Sequence, residues 1–467
     1  MPERLSLLDA SFVTLDTPTT PMHAGAVALF EPGLRFSDVL QAVQARLDRV
    51  PLARKRLQEL PLGARPTWVD DPAFDLTYHV RHAALPPPGD AAQLGEYCAR
   101  LIGRQLDRRR PLWELYVIEG CADGRIALFQ KEHLALAGSG TNLLEVLLDD
   151  HPDVVEEEPR TPWTPEPPDP PAGLALQAVR ERAETLTRAA RAVGDLARAP
   201  RRLVGAARDA AGSAVGVAAR AARLAPESPL NTRLTPHRRF ALTALDLEAM
   251  REVRRLLGGT IHDALVAVVG DAVGRLLRGR GHDTTDLDLR IMVPVRVASD
   301  DGQVGDLAQE LTLGTGVVGV LAPLPIMELD PVARLYRVMG ELAGLRESRQ
   351  AVAAHDLVRL AGYAPPLLHA MAARLASAEQ RYNLALSNAP GPQGARYLRG
   401  VRLEGTHPFI PLAGDAALSI AVTSHAGRMG VGLLGDRTGL PDLEQLADLI
   451  PAAADELLAA ARAEARR

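Results

Sequence analysis

The first 150 residues alternate short apolar runs with helix-spaced apolar positions, a pattern typical of a mixed α/β domain. Over Phe36–Val50 the apolar side chains recur at helical spacing, which predicts a helix with one buried face. The runs Leu112–Glu119 and Arg125–His133 flank the turn-forming segment Gly120–Gly124 and predict a β-hairpin. The other elements predicted in this half are strands at His23–Glu31 and Asp75–Val80 and a helix at Thr141–Asp150.

A second α/β pattern begins near residue 236. Gly259–Leu277 is a long apolar stretch that predicts a buried helix, and Asp330 followed by Pro331 is a typical start for a helix over Asp330–Leu345. A final helix is expected from about Pro441. Strands are predicted at Arg239–Leu247, Leu287–Val297, Tyr382–Ser387, Val401–Glu404, Ala416–Thr423 and Met429–Leu434.

The segment between these two patterns has a different composition. Pro152–Pro171 contains eight prolines in twenty residues, which predicts an extended linker. From Asp149 to Pro171, eight acidic residues and one arginine give a charge of −7, whereas Leu174–Leu224 has ten arginines and four acidic residues, a charge of +6. We therefore divide the chain into an N-terminal half (1–151), a linker and helical crossover (152–235) and a C-terminal half (236–467).

Two interpretations of the Arg-rich segment Leu174–Leu224 stay open. It is either a solvated helix pair that bridges the two halves, or an amphipathic segment that lies on an anionic lipid surface. No aromatic residue occurs from Ala172 to Leu224, which weakens the membrane interpretation.

Composition excludes several classes of protein. The chain has 467 residues, a formal charge of −5 and 4% aromatic residues, which argues against a nucleic-acid partner. Its two cysteines, Cys98 and Cys121, are too few for a disulfide framework or a Cys-based zinc site. Residues 1–20 lack the apolar core of a signal peptide, and glycines and prolines interrupt the apolar stretch Leu311–Met327. We expect a cytoplasmic protein, with peripheral membrane contact as an open alternative.

The binding and catalytic motifs that we tested are either absent or lack the sequence context that they require. Gly314–Gly319 matches the dinucleotide fingerprint G-x-G-x-x-G, but residues 320–325 contain two prolines and cannot form the helix that this fingerprint requires. Ser139 lacks the spaced glycines of a nucleophile elbow. Neither H-E-x-x-H nor C-x-x-C occurs, so the sequence predicts no metal site.

His133 is the candidate catalytic residue that the pattern singles out. It ends a predicted strand and precedes a loop of small residues that includes Gly138 and Gly140, so we expect its side chain at a cleft. Histidine titrates near neutral pH, as a general base must. A structural histidine is the alternative at this position.

Several segments resemble one known family. Glu132–Gly138 (EHLALAG) falls where that family has H-H-x-x-x-D-G. The other matching segments are LSLLDASF at Leu5–Phe12, PTTPMHAG at Pro18–Gly25, RPLWEL at Arg110–Leu115, SNAPGP at Ser387–Pro392 and the terminal strand region Gly430–Gly439. On these segments the chain resembles the bacterial wax ester synthase/diacylglycerol acyltransferase family.

The resemblance implies an α/β fold of two chloramphenicol-acetyltransferase-like, mixed-sheet domains with a substrate tunnel between them. It implies an O-acyltransferase that uses acyl-CoA as co-substrate to esterify diacylglycerol, a long-chain alcohol or both, with no permanently bound cofactor and no metal. His133 would be the general base, and Ser387 or Asn388 would donate to the oxyanion. A lipid acceptor would bring the protein to a membrane or to a lipid droplet.

The chain departs from the family motif around His133. Glu132 stands at the position of its first histidine, and Ala137 at the position of its aspartate. Glu132 would raise the pKa of His133 if the two side chains met, although neighbours in a strand point to opposite faces.

Two further family positions differ. His262 replaces the asparagine of an Asn-Asp pair whose aspartate is Asp263, and Thr315 replaces the asparagine of a Gly-Asn pair. The departures leave two alternatives open: an acyltransferase of the same fold with another hydroxyl acceptor, and a catalytically impaired paralogue that binds lipid or acyl-CoA.

Four other positions have structural interpretations. His23 either lines the cleft or packs in the core, and His262 either faces the tunnel or lies in the core. His425 lies in a predicted turn, where we expect an exposed side chain. Trp113 is predicted to anchor the core.

Overall fold

Two six-stranded mixed sheets, a three-stranded sheet and ten labelled helices form the part of the chain that the computed structural model describes. It describes residues 3–5, 7–61, 64–137, 142–153, 163–167, 225–296, 317–347 and 382–467, with 170, 173–176, 178–180, 183 and 187. The predicted α/β fold class with mixed sheets is confirmed.

The strands lie at Glu3–Arg4 (β1), His23–Phe30 (β2), Lys55–Gln58 (β3), Thr67–Asp70 (β4), Val80–Ala84 (β5), Trp113–Glu119 (β6), Ile126–His133 (β7), Arg238–Asp246 (β8), Leu289–Arg296 (β9), Val317–Leu324 (β10), Leu384–Ala389 (β11), Tyr397–Leu398 (β12), Val401–Phe409 (β13), Leu418–His425 (β14) and Arg428–Asp436 (β15). The helices lie at Leu7–Leu15 (α1), Phe36–Arg46 (α2), Leu76–His79 (α3), Ala91–Ile102 (α4), Leu134–Ala137 (α5), Leu143–Leu147 (α6), Leu247–Leu257 (α7), Ile261–Gly279 (α8), Pro331–Glu347 (α9) and Leu443–Glu464 (α10).

The first sheet has the strand order β12-β13-β2-β7-β6-β5. Strand β7 lies near its centre, between antiparallel neighbours β2 and β6, which confirms the predicted β6–β7 hairpin. The register pairs His23 of β2 with His133, the last residue of β7. Because β7 is flanked on both sides, its side chains are held in place by two neighbouring strands.

The second sheet has the order β10-β9-β11-β14-β15-β8. Strand β11 is parallel to both β9 and β14, and the remaining pairs are antiparallel. The long helix α8 is buried along most of its length, as its apolar sequence predicts.

The two sheets pack together around one continuous apolar cluster. Strands β12 and β13 come from the C-terminal half, yet β13 pairs with β2 in the first sheet and packs against β14 and β15 of the second. At this junction Phe409 stacks on Phe129 with 5.7 Å between ring centroids and meets Phe240 edge-on. The boundaries at 1–151, 152–235 and 236–467 stay a prediction, and nearly all of Leu174–Leu224 lies outside the described residues.

Three sequence predictions can be compared with local structure. The strand predicted at Asp75–Val80 is wrong: Asp75 caps helix α3 by accepting the Thr77 N–H, and β5 begins at Val80. The helix predicted at Thr141–Asp150 is shorter and spans α6. Residues after the Gly314–Gly319 pattern form strand β10, so the helix needed for dinucleotide binding is absent from this described segment.

No single described helix is long and apolar enough to cross a membrane. Helices α7 and α8 meet that length and composition only when taken together, across a 105° bend.

We predict that Gly432→Ala destabilises the junction between the sheets. A Cβ at Gly432 would overlap the carbonyl oxygen of Pro408 in β13, so β15 and β13 would have to separate. We expect a loss of about 1–3 kcal/mol in the free energy of unfolding, measured by denaturant titration. Gly340→Ala on α9, where a Cβ meets open space, is the control and should be neutral or stabilising. Equal effects of the two variants would contradict this packing.

Candidate active site

Strand β7 presents two different faces. Alternation places His133, Lys131 and Phe129 on a face that packs toward the second sheet, which we call the junction face. Glu132 and Leu128 lie on the opposite face, the core face, which packs against a second apolar cluster formed mostly by the N-terminal half. Successive residues of one motif therefore serve different environments.

His133 is a buried imidazole with one partnered nitrogen. His133 is 1% exposed, and its Nδ1 accepts the N–H of Ala135 at 3.0 Å. Since Nδ1 accepts, the neutral ring carries its proton on Nε2, which lies 3.9 Å from Oδ2 of Asp16. That distance is a charge contact and not a hydrogen bond.

Burial dominates the protonation of His133. It lowers the pKa of the ring to about 4, Asp16 acts to raise that pKa, and Arg108 acts to lower it. The imidazole is therefore neutral at pH 7, the state that a general base needs before it takes a proton.

Asp16 and Arg108 are site residues that sequence reasoning missed. Asp16 follows α1, and its Oδ1 accepts the Met22 N–H at 3.1 Å. Arg108 donates from Nη2 to Oδ2 of Asp16 at 3.0 Å and to the Val13 carbonyl at 2.7 Å. Asp16 and Arg108 are 92 residues apart, so the sequence gives no sign that they form a pair. The one signal available was that Asp16 lies between the two N-terminal segments that resemble the family.

The structure brings His23 next to His133. Their ring centroids are 5.9 Å apart, and the Leu106 N–H points at Nε2 of His23 at 3.4 Å. Burial, followed by the charges of Lys131 and His133, holds the pKa of His23 well below its ordinary value. His23 is thus a second neutral imidazole at the same place.

Lys131, also missed from sequence, fastens β7 to the end of helix α4. Its buried Nζ donates to the carbonyls of Leu101 and Arg104, each at 2.9 Å, and lies 3.3 Å from Glu114 Oε2. An ammonium suits the carbonyl end of a helix. Burial lowers the pKa of Lys131, and Glu114 opposes that effect.

Glu132 lies on the core face and does not share the surroundings of His133. Gln130 Nε2 donates to Glu132 Oε2 at 3.3 Å, and burial raises the pKa of Glu132 to about 8. Asp16, and not Glu132, is the carboxylate that acts to raise the pKa of His133, and burial outweighs it. The physical reason is the alternation of side chains along β7.

The other predicted site residues lie on separate elements. His262 and Asp263 are buried in the first turn of α8, where the Asp263 carboxylate accepts the Thr260 N–H at 2.8 Å in a capping box. Ser387 and Asn388 are buried on β11, and neither hydrogen-bonds to His133 within the described chain. Gly138 and Thr315 lie outside the described residues.

The expectation of an exposed His425 is wrong. The residue is 3% exposed, and its Nε2–H donates to the Leu403 carbonyl of β13 at 3.1 Å. Strand β14 continues through His425, and β13 covers it. Trp113 is a core anchor as predicted: it is 1% exposed and its Nε1 donates to the Ala53 carbonyl at 2.7 Å.

Cavities and metal ligands add little to this site. One open cavity of about 700 Å³ lies beside Arg278 and Arg337, and another of about 450 Å³ lies beside Asn231 and Asp415. Neither is lined by His133. Among the described residues, no group of three or more His, Cys, Asp or Glu side chains is arranged to hold a metal ion.

Comparison with known proteins identifies the family of this chain. Residues 5–265 match the model of the wax ester synthase/diacylglycerol acyltransferase catalytic domain, and residues 313–457 match the model of the WS/DGAT C-terminal domain. The chain belongs to the wax ester synthase/diacylglycerol acyltransferase family. The resemblance found in the sequence is confirmed, and the chain is an acyl-CoA-dependent acyltransferase of the diacylglycerol O-acyltransferase/wax ester synthase type.

Two Mycobacterium tuberculosis relatives bearing the name of a diacylglycerol O-acyltransferase are each 30% identical to this chain. The matches cover 98% of this chain and 90% of one relative, and 94% of this chain and 95% of the other.

Solved structures agree with this fold. The wax ester synthase/diacylglycerol acyltransferase from Marinobacter aquaeolei VT8 is 25% identical, with a TM-score of 0.68, over 98% of this chain and 100% of that one. A starter condensation domain of rhizomide synthetase, solved with C8-CoA, shares the fold at 10% identity, with a TM-score of 0.52 over 99% of this chain and 94% of that one. The predicted chloramphenicol-acetyltransferase-like architecture is confirmed at the level of the fold.

We predict that Glu132→Gln stabilises the protein at pH 8. Because the pKa of Glu132 is about 8 when folded and lower when unfolded, the native state holds a proton that the unfolded state releases, and stability falls as pH rises from about 4.5 through 8. The amide removes this loss, so Tm should rise by several degrees at pH 8 and little at pH 4.

Glu31→Gln, at a side chain 45% exposed, is the matched control for the loss of one carboxylate. A Tm gain for Glu132→Gln that is the same at both pH values would show that its burial does not govern its protonation.

Proposed function

We propose that this protein transfers a long-chain acyl group from acyl-CoA to the hydroxyl of diacylglycerol or a long-chain alcohol, with His133 as general base. The observation that carries the proposal is a buried, neutral imidazole at the end of β7, beside His23 and Asp16. Membership of the family supports the classes of donor and acceptor.

In the proposed reaction the acceptor hydroxyl gives its proton to His133 while its oxygen attacks the thioester carbonyl carbon. The carbon–sulfur bond breaks, the ester leaves, and the sulfur of CoA takes the proton back from His133. Burial at this position excludes water, which protects the thioester from hydrolysis. Ser387 and Asn388 are the proposed donors to the oxyanion.

This geometry imposes one step before proton transfer. The resting ring has its Nδ1 lone pair held by the Ala135 N–H and its own proton on Nε2. In one route the acceptor hydroxyl replaces the Ala135 N–H at Nδ1. In the other route the ring proton first moves from Nε2 to Nδ1, where it would clash with the Ala135 N–H. Both routes break the bond between His133 and Ala135, so the first turn of α5 must open.

A catalytically impaired paralogue is the second candidate function. It is favoured by the same contact, because the Ala135 amide occupies the ring nitrogen that would accept the proton. Ala137 also lacks the carboxylate that the family motif has at this position. Such a protein would bind acyl-CoA or lipid without turnover.

We predict that His133→Ala lowers kcat for acceptor-dependent thiol release by about 10²–10⁴-fold, because it removes the proton acceptor. The assay supplies long-chain acyl-CoA with diacylglycerol, with a fatty alcohol or with no acceptor. His82→Ala, which removes a histidine whose side chain is 47% exposed, is the control and should keep wild-type kcat.

Unchanged turnover in His133→Ala would refute the catalytic assignment. Tight acyl-CoA binding by the wild type with no release for any acceptor would establish the impaired paralogue.

We also propose that the protein is cytoplasmic and contacts a membrane or lipid-droplet surface through the start of the Arg-rich segment. Leu176 and Val179 are 51% and 54% exposed on a helical stretch, and their spacing of three residues places them on one side. Arg180 follows directly, and Arg182 comes after Glu181. Apolar side chains beside arginines fit the boundary between acyl chains and anionic headgroups.

We predict that Leu176→Glu combined with Val179→Glu abolishes flotation with anionic liposomes, since two carboxylates would replace the inserted side chains and repel the headgroups. Leu329→Glu, at a residue 66% exposed in the C-terminal half, is the matched control and should float like the wild type. Equal flotation of all three proteins would remove this segment as the contact.

A further inference from the structure

Asp16 is held in a fixed direction by groups other than His133. Its side chain is 1% exposed; Oδ1 accepts the Met22 N–H, and Oδ2 accepts from Arg108. Arg108 is fixed in turn by the carbonyls of Val13 and Asp16 itself. The carboxylate therefore keeps its place against the ring whether or not His133 carries an extra proton.

The charged surroundings of His133 contain one acidic group that faces it within the described chain. His23 from β2 is neutral, and Lys131 on β7 directs its ammonium to Glu114 and the end of α4. Arg108, from the loop after α4, is a cation whose side chain is 36% exposed, so water screens part of its charge. Asp16 is almost fully buried, and its negative charge acts on the ring at 3.9 Å with little screening.

A base in this place has to become an imidazolium where water cannot solvate it. We propose that Asp16 is the positioning residue for this base: its carboxylate lies against the Nε2 side of His133 and stabilises the cation formed when the ring takes up the acceptor proton. The proton then returns to the CoA sulfur. This inference rests on the proposed role of His133 as general base.

A purely structural role for Asp16 would be to join Arg108 to the Met22 loop. Asp16→Asn and Arg108→Gln both break the same ion pair, so a structural role predicts the same effect from each. A charge acting on His133 predicts opposite effects, because Asp16 raises the pKa of the ring and Arg108 lowers it.

The test compares kcat, KM for acyl-CoA and the pH dependence of kcat/KM in these two variants and in Asp16→Glu. We expect Asp16→Asn to lower kcat at pH 7 by about 10–100-fold with KM changed less than about threefold, and Asp16→Glu to recover most of that loss. Arg108→Gln should move the acid limb of kcat/KM upward by about one pH unit without a comparable loss of kcat.

Asp271→Asn is the matched control. Asp271 is also a buried aspartate, paired with Arg334 at 2.9 Å and Arg275 at 2.7 Å, but it lies on α8, away from β7. It should lose stability and keep the pH profile. Parallel losses in Asp16→Asn and Arg108→Gln, with an unmoved acid limb, would overturn the proposal.

An NMR titration of the His133 imidazole separates this proposal from that of general-base catalysis. If His133→Ala keeps full activity, the base assignment fails, but the ring must still titrate lower in Asp16→Asn and higher in Arg108→Gln. If Asp16→Asn does not fold, Arg108→Gln alone decides, since an unchanged ring titration there contradicts the charge coupling.

Discussion

The exclusion of water around strand β7 is the constraint on which the site depends. Both faces of this central strand are buried, one against the core of the N-terminal half and one at the junction with the second sheet. Every polar group on β7 must therefore be neutral or partnered inside the protein. Glu132 meets this requirement with a raised pKa, Lys131 with two helix-end carbonyls and Glu114, and His133 with a neutral ring.

The same exclusion of water strengthens the effect of the charged side chains near His133. In water a carboxylate 3.9 Å from an imidazole would have a modest effect, whereas in a buried place its field is weakly screened. Asp16 is itself held by Met22 and Arg108, so the cost of burying it is offset by hydrogen bonds. Strand β2, which carries His23, is paired on both sides, with β13 and with β7, so this arrangement has a fixed frame.

The elements that depend on local sequence patterns could be predicted from the sequence. The β6–β7 hairpin, the apolar helix α8 and the position of His133 at the end of a strand follow from alternation, apolar spacing and turn residues. The strand predicted at Asp75–Val80 is wrong because Asp75 caps a short helix at a position where the apolar pattern indicates a strand. The prediction of an exposed His425 is wrong because turn-forming residues in the sequence do not show that β13 covers the end of β14.

The partners of His133 could not be read from the sequence for a related reason. Asp16 and Arg108 lie in different loops, and tertiary structure brings them together, with α1 packed against α5 and Lys131 joining β7 to the end of α4. The family motif drew attention to Glu132, the neighbour in sequence, whereas the strand geometry places that residue on the opposite face. Residues that are adjacent along a strand have side chains on opposite faces of the sheet.

A crystal structure with an unreactive thioether analogue of a long-chain acyl-CoA tests the central claim most directly. The account predicts that the carbon corresponding to the thioester carbonyl lies between the sheets beside His133, with the Ala135 N–H withdrawn from Nδ1 and Asp16 still against Nε2. An analogue bound away from the junction face of β7, with the His133–Ala135 hydrogen bond intact, would contradict it.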